Sequence, residues 1–224
     1  MFVRITTGPK LRSLDEFGLT SDAANPTASL NEITYKKGTE IYGEQEPADY
    51  VYQVKSGVVR SYKLLSDGRR LIGAFHLVGD IFGLTSHESH RFTAEAVVDT
   101  SLWLVKRRTL EVIAKTDGAL TLNLLSETAR NLQHADDHML LLGRKDSLEK
   151  VAAFLLEMDN RLAGMAGITL PMTRRDIADY LGLTVETVSR ALSRLRRAGV
   201  VAFGGGALHR EITILDRNKL RLID

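Results

Sequence analysis

Apolar positions recur at helical spacing in two short segments near the C-terminal end of the chain. In the first segment, Ile177, Ala178 and Leu181 lie on one side. In the second segment, four residues form an apolar stripe: Val188, Ala191, Leu192 and Leu195. Gly182 lies between the two segments, and glycine suits a tight corner because its backbone dihedral angles are less restricted than those of other residues. The pattern predicts two short helices joined by a turn.

Polar residues at the start of each segment are typical of helix N-termini. The Thr173 hydroxyl can cap free backbone donors, and Asp176 follows three residues later in the spacing of a capping box. Thr184 follows Gly182 and can cap the second helix in the same way. Two short capped helices with a glycine corner are the layout of a helix-turn-helix.

A longer helix is expected over residues 118–143, where apolar residues recur every seven positions. Leu125, Leu132 and Met139 lie seven apart, and Leu122 and Ala129 lie beside them. This spacing predicts the seam of a two-stranded coiled coil, although a monomer can bury the same stripe against its own β-rich domain. Two carboxylates, those of Asp136 and Asp137, interrupt the stripe.

Short runs of β-branched and aromatic residues fill residues 30 to about 105. They include segments 50–54, 58–62 and 101–105, and turn residues at Gly57, Asp67-Gly68 and Gly79-Asp80 separate such runs. The spacing favours a small jelly roll or barrel.

A second β-pattern follows the helical pair. Segments 200–203 and 211–215 flank the glycines 204–206 and predict a hairpin wing, on which His209 and Arg210 can reach a phosphate or lie exposed. Together the patterns predict an α+β chain with a β-roll over residues 1–117, a dimerisation helix over 118–143 and a winged helix-turn-helix over 144–224.

Charge differs between the two parts of the chain. Residues 144–224 hold 14 Lys and Arg against 10 Asp and Glu, a net charge of +4, and residues 1–143 hold 16 against 18, a net charge of −2. The overall charge of +2 is weak evidence for a nucleic-acid partner by itself. The basic part is nevertheless the part with the helix-turn-helix pattern.

The polar face of the second helix carries side chains that can read DNA bases. Arg190 can donate two hydrogen bonds to O6 and N7 of guanine, and Glu186 can accept one from the amino group of cytosine or adenine. Val185 can contact a thymine methyl group, and Ser189 can serve a base or a phosphate. The alternative is a solvated helix face with an ordinary ion pair between Glu186 and Arg190, which does not explain the rest of the helix-turn-helix layout.

Further polar residues at both ends of the helical pair suit the DNA backbone. We expect phosphate contacts from three hydroxyls and three guanidinium groups: Thr173, Thr184, Thr187, Arg194, Arg196 and Arg197.

The run from Glu149 to Gly199 resembles the winged helix-turn-helix of the Crp/Fnr transcription regulators. The similarity is densest in Leu181-Gly-Leu-Thr-Val-Glu-Thr-Val-Ser-Arg190, whose Glu-x-x-Ser-Arg pattern is that of the Fnr and FixK-type branch. The resemblance implies a palindromic DNA site with TTGA-like half-sites. It implies that Glu186, Ser189 and Arg190 read the bases, with Val185 beside them.

The β-rich region resembles the sensory β-roll of the same family through Val54–Arg60, Asp67–Arg70 and Gly79–Gly83. The cyclic-nucleotide-binding version of this roll uses a Phe-Gly-Glu turn and an Arg-Ser pair. Here Leu84 follows Phe82-Gly83, and His90-Arg91 stands where the pair is expected. We therefore expect a roll that keeps its fold, has lost its ligand and binds no cofactor.

The sequence contains no cysteine, which excludes thiol switches, disulfides and thiolate-bound iron–sulfur clusters in this chain. That separates it from Fnr itself. The N-terminal residues up to Ser13 have no continuous apolar core, and no run reaches transmembrane length. We expect a cytoplasmic protein with no membrane partner.

Two histidines at i and i+4, His134 and His138, have the spacing of a helical metal site. Only two ligands of one type are assured, so a solvated helix face is the favoured interpretation and no metal is expected. Three others, His76, His87 and His90, are expected among loops and strand ends without fixed partners. No catalytic constellation is visible, so the chain is not expected to be an enzyme.

These patterns lead to one main interpretation and two alternatives. The main one is a homodimeric regulator that binds double-stranded DNA and activates transcription by recruiting RNA polymerase. Its resemblance to the FixK-type branch implies genes of low-oxygen respiration or nitrogen fixation. The first alternative is a ligand-gated regulator of the same fold that senses haem or nitric oxide through histidines. The second is a nucleotide-binding signalling module or enzyme.

Overall fold

The computed structural model describes residues 31–143, 146–162, 168–204 and 211–223. The chain divides into two units by its internal contacts. One contains the described residues up to Ser61 together with Phe75–Ala129, and the other contains Tyr62–Ala74 together with the described residues from Arg130 onward. The division into domains at residues 117 and 143 stays a prediction.

The β-rich part of the chain contains two sheets of four strands, and its residues Tyr62–Ala74 belong to the second unit. One sheet has the order β1-β8-β3-β6 and the other the order β2-β7-β4-β5. The strands are β1 Asn31–Tyr35, β2 Glu40–Tyr42, β3 Tyr50–Ser56, β4 Val59–Leu64, β5 Arg70–His76, β6 Ile81–Phe82, β7 Thr93–Ala96 and β8 Thr100–Lys106. The predicted strands at 50–54, 58–62 and 101–105 are confirmed. The glycines of the three predicted turns, Gly57, Gly68 and Gly79, have positive φ angles.

Side chains from both sheets pack into one apolar cluster, which is why the strands form a roll. Tyr42 and Ala94 come from the second sheet, and Tyr52, Phe82 and Leu102 come from the first. A second cluster joins Val51 and Val105 to the two helices that follow, α1 Arg107–Ala114 and α2 Gly118–Leu142, through Leu110 and Leu120. The β-roll of the predicted α+β fold is therefore present.

The second unit is mainly helical. Its elements beyond α2 are α3 Ser147–Arg161, β9 Ile168–Thr169, α4 Arg174–Leu181, α5 Val185–Arg197, β10 Val201–Gly204, β11 Glu211–Ile214 and α6 Arg217–Ile223. The strands form a small antiparallel sheet in the order β10-β11-β9. The predicted helix of 118–143 is confirmed to within one residue, and the predicted wing hairpin is formed by β10 and β11. No helix in the described ranges is long and apolar enough to cross a membrane.

Candidate nucleic-acid interface

The first helix of the helix-turn-helix, α4, begins at a complete capping box. Thr173 is the N-cap, and its Oγ1 accepts a hydrogen bond from the backbone N–H of Asp176 at 3.2 Å. Asp176 returns the interaction, because its Oδ2 accepts from the backbone N–H of Thr173 at 3.0 Å. Two free donors at the helix end are thereby satisfied. The prediction from the Thr-x-x-Asp spacing is confirmed.

The corner between α4 and α5 depends on Gly182. Its φ of 62° and ψ of 38° place it in the left-handed region, and its N–H donates to the carbonyl of Ala178. Leu183 N–H also donates to the Ala178 carbonyl, at 2.9 Å. Only glycine adopts this backbone without a steric cost, so the predicted corner is confirmed at this residue.

The second helix, α5, begins at Thr184, whose side chain accepts from the N–H of Thr187 at 3.2 Å. All four residues of the predicted apolar stripe are buried: Val188, Ala191, Leu192 and Leu195. The stripe packs α5 against α3 and α4. Burial of this stripe fixes which residues of α5 remain outside.

The opposite face of α5 leaves the predicted base-contacting side chains accessible. Glu186 and Arg190 are exposed, Val185 is 37% exposed, and Ser189 is half-buried. Arg190 Nε lies 3.4 Å from the backbone carbonyl of Glu186, so the guanidinium interacts there with the backbone. Its remaining N–H groups stay available for a ligand in this geometry.

Two local interactions tune this face. A hydrogen bond to its own backbone and one from Thr184 lower the pKa of the Glu186 carboxyl, which keeps it an acceptor of hydrogen bonds. Arg174, in the first turn of α4, has its Nη1 3.3 Å from Ser189 Oγ. Sequence reasoning missed Arg174, although its position directly after the N-cap places a long basic side chain beside the second helix.

The predicted phosphate contacts are distributed around the same region. Thr173, Thr184, Arg194, Arg196 and Arg197 are exposed, and Thr187 is half-buried. The hydroxyls are already engaged, since Thr173 Oγ1 donates to Asp176 Oδ2 at 2.7 Å and Thr184 Oγ1 lies 3.0 Å from Thr187 Oγ1. Their phosphate contacts, like the base contacts, stay predictions.

The C-terminal helix supports the end of α5. The ammonium group of Lys219 donates to the carbonyl of Ala198, the C-cap of α5, at 3.0 Å, where a cation complements the helix dipole. Arg217 makes a two-point ion pair with Asp159 of α3, with N–O distances of 2.7 and 2.9 Å. The wing residues His209 and Arg210 lie outside the described residues.

The predicted dimer seam on α2 is an exposed apolar stripe in the single chain. Leu122, Leu125, Leu132 and Met139 are 63–68% exposed, and Ala129 is exposed between them. Asp136 and Asp137 are exposed as well. Large apolar side chains in a row, left in water, favour association with another surface.

The histidine pair on α2 is divided between different partners. His138 is buried, stacks on the ring of Tyr180 at 4.0 Å between centroids, and has its Nε2 2.8 Å from the Tyr180 carbonyl oxygen. His134 Nε2 lies 3.4 Å from Glu157 Oε1. The solvated-face interpretation is therefore wrong for His138, because its ring packs against α4. Among the described residues, no cluster of three or more candidate ligands is arranged for a metal ion.

Aromatic rings fill the interior of the roll beside the altered Phe-Gly-Leu turn. His90 stacks on Tyr42 with 3.6 Å between ring centroids, and Tyr52 stacks on Phe82 at 5.2 Å. His76 stacks on Phe82, and its Nε2 lies 2.8 Å from Ser61 Oγ. The expectation that these histidines lack fixed partners is wrong for His76 and His90, since aromatic packing holds both.

The residues at the expected polar positions of the ligand pocket face elsewhere. Leu84 packs against the apolar cluster of Val51 and Ile81, and Arg91 is exposed. Burial lowers the pKa of His90, which favours the neutral ring. The His87 side chain is exposed. The backbone N–H of His87 donates to Thr85 Oγ1 at 3.1 Å, and its carbonyl accepts from Arg107 Nη1 at 2.8 Å.

Comparison with known proteins places this architecture in a family. Residues 149–223 match the Crp-like helix-turn-helix domain, and residues 32–117 match the cyclic nucleotide-binding domain. The nitrogen fixation regulation protein FixK of Rhizobium meliloti is 42% identical over 169 residues, which cover 75% of this chain and 77% of that protein. The chain belongs to the Crp/Fnr family of transcription regulators. Its members are DNA-binding regulators rather than enzymes, and this member is of the FixK type.

Two further similarities extend over most of the chain. The FixK protein of Azorhizobium caulinodans is 43% identical over 195 residues, covering 85% of this chain and 77% of that protein. The solved structure of FixK2 from Bradyrhizobium japonicum superposes with a TM-score of 0.83 at 59% identity, covering 87% of this chain and 97% of that one. The β-roll, the long helix and the helix-turn-helix of this family member therefore belong to one shared fold.

Proposed function

We propose that this regulator binds, as a homodimer, a DNA palindrome with TTGA-like half-sites. The observation that carries the proposal is the exposed face of α5, on which Val185, Glu186, Ser189 and Arg190 lie together at the N-terminal end of the helix. In a helix-turn-helix this end of the second helix enters the major groove. An arginine and a carboxylate one turn apart match a guanine acceptor pair and an amino donor of neighbouring base pairs.

The dimer follows from the exposed stripe of α2. A second copy covers Leu122, Leu125, Ala129, Leu132 and Met139 with the same stripe, as two parallel helices do in a coiled coil. Two-fold symmetry of the protein then matches a two-fold DNA site, with the recognition helices about 34 Å apart.

The physiological role is proposed from the relatives. Two FixK relatives are named nitrogen fixation regulation proteins, and a third relative, FnrL of Cereibacter sphaeroides, is named a transcriptional activator protein at 33% identity. We propose that this protein activates genes of nitrogen fixation or low-oxygen respiration by recruiting RNA polymerase. It would act in the cytoplasm, where its DNA lies.

We also propose that the regulator acts without a small ligand. Two histidines of the roll are engaged by aromatic stacking: His76 stacks on Phe82 of the altered turn, and His90 stacks on Tyr42. Using either as a haem ligand would break that packing. This argues against the ligand-gated alternative.

Selection of bound duplexes from a random DNA pool tests the proposal. The protein is purified without ligand, and the bound fraction is sequenced after several rounds. Enrichment of palindromes with TTGA-like half-sites supports the proposal. Enrichment of unrelated sequences, or no enrichment, overturns the base assignments.

A further inference from the structure

An arginine from outside the helix-turn-helix contacts its first helix at two points. Arg70 begins β5 and lies in the segment Tyr62–Ala74, which belongs to the same unit as α4. Its Nε donates to Asp179 Oδ2 at 2.8 Å, and its Nη2 lies 2.6 Å from Asp176 Oδ1 and 2.7 Å from Asp179 Oδ2. One planar guanidinium therefore joins two carboxylates of α4.

Asp176 connects this contact to the helix cap. Its Oδ2 accepts both the backbone N–H and the hydroxyl of Thr173, while its Oδ1 accepts from Arg70. The side chain of Asp176 is 2% exposed and that of Arg70 is 20% exposed. A carboxylate buried to this degree is strongly unfavourable without a cation beside it. The capping box of α4 therefore depends on Arg70.

Asp179 is a second carboxylate of α4 that requires the positive charge of Arg70. It lies three residues after Asp176, on the same face of α4, where two like charges repel each other. The ring of Tyr62 lies 5.7 Å from the Arg70 guanidinium carbon and limits its orientation further.

The position of α4 affects DNA reading because α4 packs directly on α5. Arg174, one residue after the cap, also contacts Ser189 of α5. A displaced first turn of α4 therefore moves a side chain that touches the face proposed to read bases.

We propose that Arg70 is a positioning residue for DNA binding: its guanidinium holds Asp176 and Asp179, fixes the first turn of α4 and so sets the placement of α5, without itself touching DNA. This inference rests on the base-reading function proposed for α5. It assigns a role in DNA binding to a residue of the β4–β5 hairpin.

The matched comparison is Arg70→Ala against Arg69→Ala. Arg69 is the preceding residue, its side chain is 78% exposed, and its ion pair is with Asp67 of the same turn. Each variant removes one positive charge from the same segment. Arg70→Ala is expected to weaken binding to the selected palindrome by about tenfold or more, the equivalent of one broken strong contact. Arg69→Ala is expected to stay within about twofold of the wild-type affinity. Equal affinities of the two variants overturn the proposal.

Salt dependence separates positioning from a direct phosphate contact. If Arg70 bound a phosphate itself, its removal would lower the slope of log affinity against log salt by about one. The proposal expects the slope of Arg70→Ala to match that of Arg69→Ala. A slope lower by one overturns it.

A compensating substitution provides the rescue test. Asp179→Asn removes the charge that Arg70 neutralises and leaves the capping box intact. The effect of Asp179→Asn on DNA affinity is measured in the wild-type protein and in Arg70→Ala. We expect the gain of affinity in Arg70→Ala to exceed the change in the wild-type protein by about threefold, which is the sign of direct coupling. Equal effects of Asp179→Asn in the two backgrounds overturn the proposal.

Hydrogen exchange gives a readout that needs no DNA. The amides of α4 in Arg70→Ala should exchange faster than in Arg69→Ala, while those of α3 remain protected. Unchanged protection of the α4 amides in Arg70→Ala overturns the positioning role, even if the variant binds DNA more weakly. If the wild-type protein selects no palindrome but α4 loses protection, the proposed base reading fails while the contact of Arg70 with α4 stands.

Discussion

At the residue scale, two arginines of the same helix are expected to do different work. Arg190 lies on the exposed N-terminal face of α5, whereas Arg196 lies in its last turn with its guanidinium carbon 5.8 Å from the Phe203 ring centroid. Arg190→Ala should remove discrimination at the guanine and cost about 1–3 kcal/mol on the correct half-site. Affinities for the palindrome and for duplexes with single base changes measure this.

Arg196→Ala is the control for that experiment. It should weaken binding to all duplexes alike and lower the salt slope by about one. Base-specific loss from Arg196→Ala, or uniform loss from Arg190→Ala, would show that the two roles are exchanged.

A second residue-scale prediction concerns His138. Burial lowers the pKa of His138 below the ordinary 6.5, and the charge of His134 lowers it slightly further. The hydrogen bonds to the backbone of Tyr180 and Gly73 and the charge of Glu157 act in the opposite direction but are outweighed. The unfolded chain then binds a proton that the folded chain does not, so stability is complete above the unfolded pKa and is lost as pH falls below it. Denaturation at several pH values should show a smaller acid-side loss for His138→Gln than for the wild type. An unchanged acid-side loss would contradict this.

The features that the sequence predicts are those that depend on neighbouring residues, whereas contacts between distant residues are not predictable from it. Thr173, Thr184 and Gly182 were predictable because a cap or a corner depends on neighbours within four residues. The contacts of Arg70 with Asp176 and of His138 with Tyr180 join residues 106 and 42 positions apart. Neither has a local pattern, since only the tertiary fold brings the partners together. Likewise, nothing near His90 in sequence indicates that it stacks on Tyr42.

At the element scale, the α4–α5 corner should be sensitive to one methyl group. A Cβ on Gly182 meets only Leu142 Cδ2 at 3.6 Å, an ordinary contact, so the cost of Gly182→Ala comes from its φ of +62°. We expect a loss of about 1–2 kcal/mol in unfolding free energy.

Gly118→Ala is the matched control, because Gly118 begins α2 and a Cβ there meets nothing within 4 Å. It should stabilise the protein by about 0.4–1 kcal/mol, since alanine restricts the unfolded chain. Chemical denaturation measures both variants. Equal changes of one sign would mean that the corner does not require the left-handed backbone.

The apolar stripe of α2 yields the second element-scale prediction. Leu132→Glu places a carboxylate at the centre of the proposed seam, where pairing across the dimer axis brings two like charges together. The variant should sediment as a folded monomer and lose tight binding to the palindrome, because the second half-site is then no longer bound intramolecularly.

Asn131→Glu adds the same charge one residue away, outside the stripe, and should remain dimeric. Asn131 is exposed in the single chain, as Leu132 is. A dimeric Leu132→Glu with unchanged affinity would show that α2 is not the dimer interface. The seven-residue spacing that predicted this stripe is a property of one helix, and the identity of its partner surface depends on a second molecule.

At the scale of the whole molecule, we expect DNA binding to need no cyclic nucleotide. Leu84 packs against an apolar cluster and Arg91 is exposed. Inside the roll, the Tyr42 ring stacks on His90 and lies at a tilt beside Phe82. Calorimetric titration with cyclic AMP and cyclic GMP should give no heat of binding. A DNA affinity that rises several-fold with either nucleotide would contradict the expectation.

The path of the chain through its two units has a consequence for how the protein can be divided. The backbone passes from one unit to the other at residues 61–62, 74–75 and 129–130. No contiguous fragment therefore contains all of one unit without part of the other. A fragment that begins at the expected domain boundary after residue 143 carries the whole helix-turn-helix but leaves out Arg70, so the buried carboxylate of Asp176 would lose the cation that supports the cap of α4. An excised fragment therefore keeps only part of the interactions that stabilise its unit in the uninterrupted chain.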